Sequence, residues 1–240
     1  MKKISISLFI CMVMALSVLI ISASAANTGF YSQNFDTQTG ITTAGTERGK
    51  WLLQGGGGIS AVNAATRKLE VQRNAEGSFA VATFFIPDDL KSASGKIAIE
   101  FDAYMEGGIS GNKEMRYSLT SGTGTTDRFI YSLRTESYVY VNTGGTNYIH
   151  TNGQISFTNG NFIHIKTIVD FDVATNNVTT FINGTESTVK ASCPISAEDL
   201  YSLKFNIPSS AAQKTVKATI DNLKMYVVGS DAESIANTAY

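Results

Sequence analysis

The chain has 240 residues, 43% of them hydrophobic and 16% charged, with 19 basic and 20 acidic residues and a net charge of −1. That length and apolar content suit one domain with a sizeable buried core. The balanced charge, without a basic cluster, argues against nucleic acid or an anionic membrane surface as the main partner.

The first element in chain order is an export signal. Lys2 and Lys3 make a positive start, Ile4 to Ile21 an apolar stretch with scattered serines, and Ala23-Ser24-Ala25 a small-residue cleavage site. These are the three parts of a signal peptide spanning residues 1–25. The apolar stretch is long enough to be read as a membrane anchor instead. The A-x-A site directly after it favours cleavage, and nothing after residue 25 reads as a transmembrane helix. The expected location is therefore secreted, with no membrane attachment once the signal is removed. Loss of Lys2 and Lys3 leaves 17 basic residues against 20 acidic ones, a net charge of −3. Loss of Cys11 leaves Cys193 alone, so no internal disulfide is expected. Cys193-Pro194 reads as a packed turn rather than a nucleophile, because no positive helix end or histidine is apparent to lower the thiol pKa.

From residue 29 the pattern is one of short, period-2 segments rich in Val, Ile, Thr, Tyr and Phe, separated by Gly, Asn, Ser and Thr clusters. Strands are expected at Gly29–Asp36, Lys50–Leu53, Lys68–Arg73, Ser78–Ile86, Lys96–Met105 and Met115–Thr120. Further strands are expected at Arg128–Arg134, Tyr138–Asn142, Phe162–Phe171, Val178–Ile182, Leu200–Ile207 and Val216–Val228. Gly55–Gly58 reads as a flexible loop and Ser196–Leu200 as one capped helical turn. Asn176-Asn177 and Asn183-Gly184 read as left-handed hairpin turns, the second of type I′. The pattern stops after Val228. The expected organisation is a signal peptide at 1–25, an antiparallel all-β sandwich at 26–228 and a flexible tail or linker at 229–240.

Alternation assigns faces. Ile163, Ile165, Val169 and Phe171 point to the core and His164, Lys166 and Asp170 away from it. Ile97, Ile99, Phe101, Ala103 and Met105 oppose Glu100, Asp102, Tyr104 and Glu106. Met115, Tyr117 and Leu119 oppose Arg116; Phe129, Tyr131 and Leu133 oppose Arg134; Val139 and Val141 oppose Tyr138 and Tyr140. If these strands are neighbours in one sheet, Tyr104, Arg116, Arg134, Tyr138, Tyr140 and His164 combine into one outer surface. Hydrogen-bonding side chains that satisfy hydroxyls, with aromatic faces that stack on pyranose C–H groups, make such a surface fit a glycan. An ordinary solvated sheet face would also be polar.

Three segments together carry a family resemblance: Phe35-Asp36 followed by Trp51; Phe162 to Asp170 running into Thr175 to Asn183-Gly184; and the closing Thr219-Ile220-Asp221-Asn222-Leu223-Lys224-Met225-Tyr226. The chain resembles the concanavalin A-like lectin/glucanase superfamily in its laminin-G-like bacterial extracellular branch. The resemblance implies a jelly roll of two sheets with ligands on the concave face or its rim. Phe162 departs from the family pattern, which usually has Trp there.

Catalysis has two candidate forms. Glycoside hydrolysis needs two carboxylates across the scissile bond, and Glu100, Asp102 and Glu106 share one face. The resemblance to family 16 glucanases is imperfect, since their third acid would fall at Tyr104 or Met105. Polysaccharide lyases use tyrosine or histidine as base and acid with a cation to neutralise a uronate, and His164, Tyr138, Tyr140, Arg116 and Arg134 offer such groups. Asp36, beside the first strand, and Asp221, in the last, are candidate ligands for a structural calcium ion, because first and last strands usually pair in these sandwiches. Alternatively, Asp221 merely caps a strand edge. Trp51 is expected in the core rather than on a stacking platform. Asn177-Val178-Thr179 and Asn183-Gly184-Thr185 are glycosylation sequons in tight turns. The sequence thus points to a secreted, non-catalytic jelly roll whose partner is a polysaccharide or glycoprotein glycan. A polysaccharide-degrading enzyme and a structural or adhesive protein-binding domain are the alternatives.

Overall fold

The computed structural model describes residues 29–36, 41–42, 47–74, 78–91, 95–106, 114–122, 126–134, 139–142, 148–150, 161–187, 191–207, 216–229 and 233. For residues 42, 114, 126–134, 139–142 and 148–150 the description is of the backbone alone. The segments expected to be signal peptide and most of the tail lie outside the described residues, as does Tyr138. Among the described residues no helix is long and apolar enough to cross a membrane.

The described strands are β1 (Phe30–Gln33), β2 (Ile41–Thr42), β3 (Trp51–Gly56), β4 (Ile59–Asn63), β5 (Lys68–Gln72), β6 (Phe79–Phe85), β7 (Lys96–Glu106) and β8 (Glu114–Ser121). They continue as β9 (Thr126–Arg134), β10 (Val139–Asn142), β11 (Tyr148–His150), β12 (Ile163–Asp170), β13 (Val178–Ile182), β14 (Thr185–Glu186), β15 (Leu200–Ile207) and β16 (Lys217–Val227). A single helical turn, α1 (Asp88–Lys91), follows Pro87. The helical turn expected at Ser196–Leu200 is a hydrogen-bonded turn instead. Ser196 Oγ receives the Asp199 N–H at 3.2 Å and donates to Asp199 Oδ2 at 3.0 Å, and β15 begins directly afterwards.

The strands form two sheets. The first has the order β14-β13-β12-β7-β16-β5-β4, with β1 also on β16; the second has the order β11-β10-β9-β8-β15-β6-β3-β2. Pairing is antiparallel except between β2 and β3. The result is an all-β, antiparallel jelly-roll sandwich. Its core lies between the sheets, where Phe101 of the first sheet meets Tyr117 and Phe205 of the second edge-on, each at 5.0 Å between ring centroids. The Tyr117 hydroxyl bonds Thr167 Oγ1 across this core at 2.7 Å, which satisfies both buried polar groups and ties β8 to β12.

Two local features come directly from residue chemistry. In β16 the register shifts between Asp221 and Lys224, and Asn222 sits at φ +50°. Asparagine tolerates that left-handed conformation, so the Ile220-Asp221-Asn222 motif builds a bulge. N-terminal to the bulge, residues 217–220 pair with β5; C-terminal to it, residues 223–226 pair with β1. Asn183 and Gly184 both have positive φ, as the expected type I′ turn requires, and join β13 to β14.

Gly55–Gly58, expected to form a flexible loop, bridges the two sheets instead. It is not a loop: Gly55 and Gly56 close β3, and Gly58 leads into β4 on the other sheet. A Cβ on Gly58 would lie 2.6 Å from the Gln72 carbonyl oxygen and 2.7 Å from that of Phe79. Glycine is needed there for close backbone approach at the corner between sheets.

Candidate functional site

Register places the acidic row of β7 between two rows of partners. His164 stands opposite Asp102 and Lys166 opposite Glu100 on β12. On the other side Asp221 stands opposite Asp102 and Lys224 opposite Glu100 on β16. All lie on the outer face of the first sheet, because Ile99, Phe101, Ile163 and Ile165 fill the alternate, core-facing positions.

The side chains close into a network. Glu100 receives the Tyr226 hydroxyl and the Lys166 ammonium, the latter at 2.9 Å, and Lys166 also donates to the Tyr226 oxygen at 2.8 Å. Asp102 bonds His164 Nδ1 at 2.9 Å and receives Asn222 Nδ2 at 2.8 Å. Asp221 pairs with Lys68 through Oδ2 and receives the Asn222 backbone N–H through Oδ1 at 2.9 Å. The His164 backbone N–H donates to Asn183 Oδ1 at 2.9 Å, so the type I′ turn braces the edge of the cluster.

These contacts set the protonation states. Burial pushes the Glu100 carboxyl up, but hydrogen bonds from Tyr226 and Lys166 and the nearby positive charges outweigh it and hold it below its ordinary value. Burial likewise opposes, and bonds from His164 and Asn222 win, at Asp102. Burial, then the bond to Glu100, pushes Tyr226 up to about 12. Lys166 is raised although burial, the largest influence, lowers it, because its bonds to Tyr226 and Glu100 prevail. The Tyr104 hydroxyl is raised, first by its bond to Glu106. A general acid for glycoside hydrolysis needs a raised carboxyl pKa. Glu100 and Asp102 are both held ionised.

His164 is raised, first by its bond to Asp102. A raised histidine contributes stability in full below its unfolded value near 6.5, and loses it as pH climbs through the higher folded value. The thermal midpoint of the wild type is therefore expected to fall, relative to His164→Gln, as pH rises from about 6 to 9. Parallel melting profiles for the two proteins over that range would remove this coupling.

The structure divides the surface expected from the sequence. Glu100, Asp102, Tyr104 and Glu106 on β7 and His164 on β12 belong to the first sheet. Arg116 on β8, Arg134 on β9 and Tyr140 on β10 belong to the second. The two groups do not form one surface. The expected meeting of Asp36 with Asp221 is also not the contact found. Asp221 is taken by Lys68, while exposed Asp36 receives Asn34 Nδ2 at 2.7 Å. Among the described residues no three His, Cys, Asp or Glu side chains gather to hold a metal ion.

On the second sheet the registers align one transverse row. Gln54 stands opposite Val81, Val81 opposite Asn206, Asn206 opposite Arg116 and Arg116 opposite Ser132. Ser132 stands opposite Tyr140, and Tyr140 opposite His150. Six strand spacings of about 4.8 Å make this row about 29 Å long. Beside it, Thr83 and Ser118 flank Lys204 and are themselves buried. Small hydroxyl side chains thus floor the middle of the face. Among its described side chains Arg116 and Lys204 are charged, and none is a carboxylate.

Alternation alone does not single out Lys68, Asn222 or Tyr226 for a site. The asparagine in Ile220-Asp221-Asn222 is the signal that a bulge turns two adjacent polar residues toward one face. Tyr226 was legible as a motif position, yet its bond to Glu100 depends on β16 lying beside β7.

No family model and no curated protein matches the chain. Among solved structures it is similar in fold to a sialidase, with a TM-score of 0.61 and 12% identity over 86% of this chain. The chain spans 19% of that sialidase's length. It is also similar to lectin II from Ulex europaeus, with a TM-score of 0.54 and 11% identity over 82% of this chain and 97% of the lectin. A third is a botulinum neurotoxin type C chain, whose cell entry depends on two ganglioside molecules. There the TM-score is 0.51 and the identity 10%, over 80% of this chain and 47% of the toxin chain. What the chain shares with these proteins is the β-sandwich.

Proposed function

We propose that this chain is an exported, non-catalytic module of the concanavalin A-like kind that binds an extended polysaccharide across the outer face of its second sheet. The observation that carries the reading is the transverse row from Gln54 through Asn206, Arg116, Ser132 and Tyr140 to His150. A row about 29 Å long suits several units of a linear glycan rather than one terminal sugar. Amide, guanidinium and hydroxyl groups supply donors and acceptors for sugar hydroxyls. The ionised, internally paired state of Glu100 and Asp102, on the opposite sheet, supports binding without hydrolysis. Export rests on residues 1–25.

Native electrophoresis through gels containing different polysaccharides tests the reading. The wild type is expected to be retarded by at least one polysaccharide without clearing it. Arg116→Ala and Tyr140→Ala are each expected to weaken retention about tenfold, equivalent to about 1.4 kcal/mol. A cleared zone would turn the assignment to a depolymerising enzyme. No retardation across the panel would turn it to a structural or adhesive protein-binding domain.

A further inference from the structure

Among the described residues of the first sheet two large apolar side chains are exposed, Ile59 on β4 and Phe162, and of these Phe162 is the aromatic one beside the charged cluster. Phe162 is 46% exposed and precedes β12 directly, one residue beyond the Ile163–Ala103 pair. Isolated exposed apolar residues are ordinary on protein surfaces. Phe162 differs in being fixed. Its ring stacks on Tyr104 at 5.4 Å with 30° between planes, and the Lys68 ammonium lies 5.2 Å from its centroid. An aromatic ring held in place by a neighbour and a cation loses little freedom when a ligand settles on it.

We propose that Phe162 is the platform of a second glycan site, on the face opposite the transverse row, that takes the C–H face of a single neutral hexopyranose. The negative π face of the ring attracts the slightly positive C–H groups of a pyranose. The polar flank suits the hydroxyls at the sugar's edge. Asp102 accepts two hydrogen bonds, from His164 and Asn222, and a carboxylate has about four acceptor positions. His164 is 45% exposed, and its Nε2 lies 3.7 Å from Glu100, beyond hydrogen-bond reach. Charge favours a neutral ligand: the Lys68 ammonium is engaged by Asp221, His164 by Asp102 and Lys166 by Glu100, so a sugar carboxylate would enter beside carboxylates whose cations are already paired. One ring of platform matches one pyranose ring. The Phe162 site shares no residue with the row on the second sheet, so either assignment stands or falls without the other.

The test is saturation-transfer NMR of the protein with methyl glucoside, methyl galactoside, methyl mannoside and methyl glucuronide. At least one neutral hexoside is expected to receive saturation at its ring C–H protons, and the glucuronide less. Phe162→Ala and Phe162→Leu are both expected to reduce that transfer at least tenfold. Leucine keeps apolar bulk without a π face, so a loss there is not a loss of folding. Val173→Ala, which trims an equally exposed apolar side chain in the loop after β12, is expected to leave the transfer unchanged. Polysaccharide retention by the other face is expected to be the same in Phe162→Ala as in wild type. Absence of transfer to every neutral hexoside, or its persistence in both Phe162 variants, would overturn the site.

Discussion

Trp51→Ala is expected to destabilise the protein by about 3–5 kcal/mol, the range for truncating a large aromatic side chain in a packed core. Trp51 is fully buried on β3. It stands opposite Phe84 of β6, with ring centroids 5.2 Å apart, stacks on Phe205 of β15 at 6.1 Å and meets the edge of Phe35 at 5.4 Å. Its indole N–H donates to the Tyr31 hydroxyl at 2.9 Å, and Tyr31 belongs to β1 of the other sheet. One side chain therefore joins three strands of the second sheet to the first strand of the first. In a domain of roughly 200 residues, 1 kcal/mol moves the thermal midpoint by about 2–4 °C, so the loss amounts to about 6–20 °C. Trp51→Phe keeps most of the apolar area and loses the donor, and is expected to cost about 1–2 kcal/mol. A melting temperature for Trp51→Ala within about 2 °C of wild type would contradict this packing. Trp51 is the only tryptophan, so its emission is expected to be that of a buried indole and to stay unshifted when a glycan binds either outer face.

Much of the fold was legible because period-2 alternation is a local signal. Ile97, Ile99, Phe101, Ala103 and Met105 are all buried, as their alternation with Glu100, Asp102 and Tyr104 required. Asn183-Gly184 and the Asp221-Asn222 bulge were legible for a similar reason: left-handed backbone leaves a residue signature. What was not legible is which strand lies beside which. Alternation gives each strand two faces, but it carries no information on which of two sheets the strand joins. Arg116 and His164 read as one surface because each points outward. The structure sends β8 and β12 to different sheets, so outward means opposite directions. Gly55–Gly58 departs from its expected loop for a related reason. Its glycines answer to the carbonyls of Gln72 and Phe79, which are distant in sequence. Short edge strands such as β2, β11 and β14, of two or three residues, are too brief to show a period. The candidate site was legible in its residue types, and its division over two faces required the registers.

Glu100→Gln separates a structural role from a chemical one at the residue the sequence offers as a catalytic acid. The Glu100 side chain is 12% exposed and lies between Lys166 and Tyr226. The amide keeps the shape but leaves the partly buried Lys166 ammonium without its anion and weakens the bond from the Tyr226 hydroxyl. Loss of charged partners of this kind costs about 2–3 kcal/mol. The sign with pH follows from the lowered carboxyl. A depressed carboxyl contributes stability that is complete above its unfolded value of 4.5 and is lost as pH falls through its lower folded value. The wild type is therefore expected to melt well above Glu100→Gln at neutral pH, with the gap narrowing below 4.5. Lys166→Met is expected to be destabilising by a similar amount. The double variant Glu100→Gln/Lys166→Met is expected to be less destabilised than the two single effects added, because neither charge is then left alone. Polysaccharide retention by the second sheet is expected to be unchanged in Glu100→Gln, since the strands of the transverse row belong to the other sheet. A variant as stable as wild type that no longer clears a polysaccharide would reverse the argument, because it would make Glu100 a reacting group rather than the centre of an ion-pair ladder.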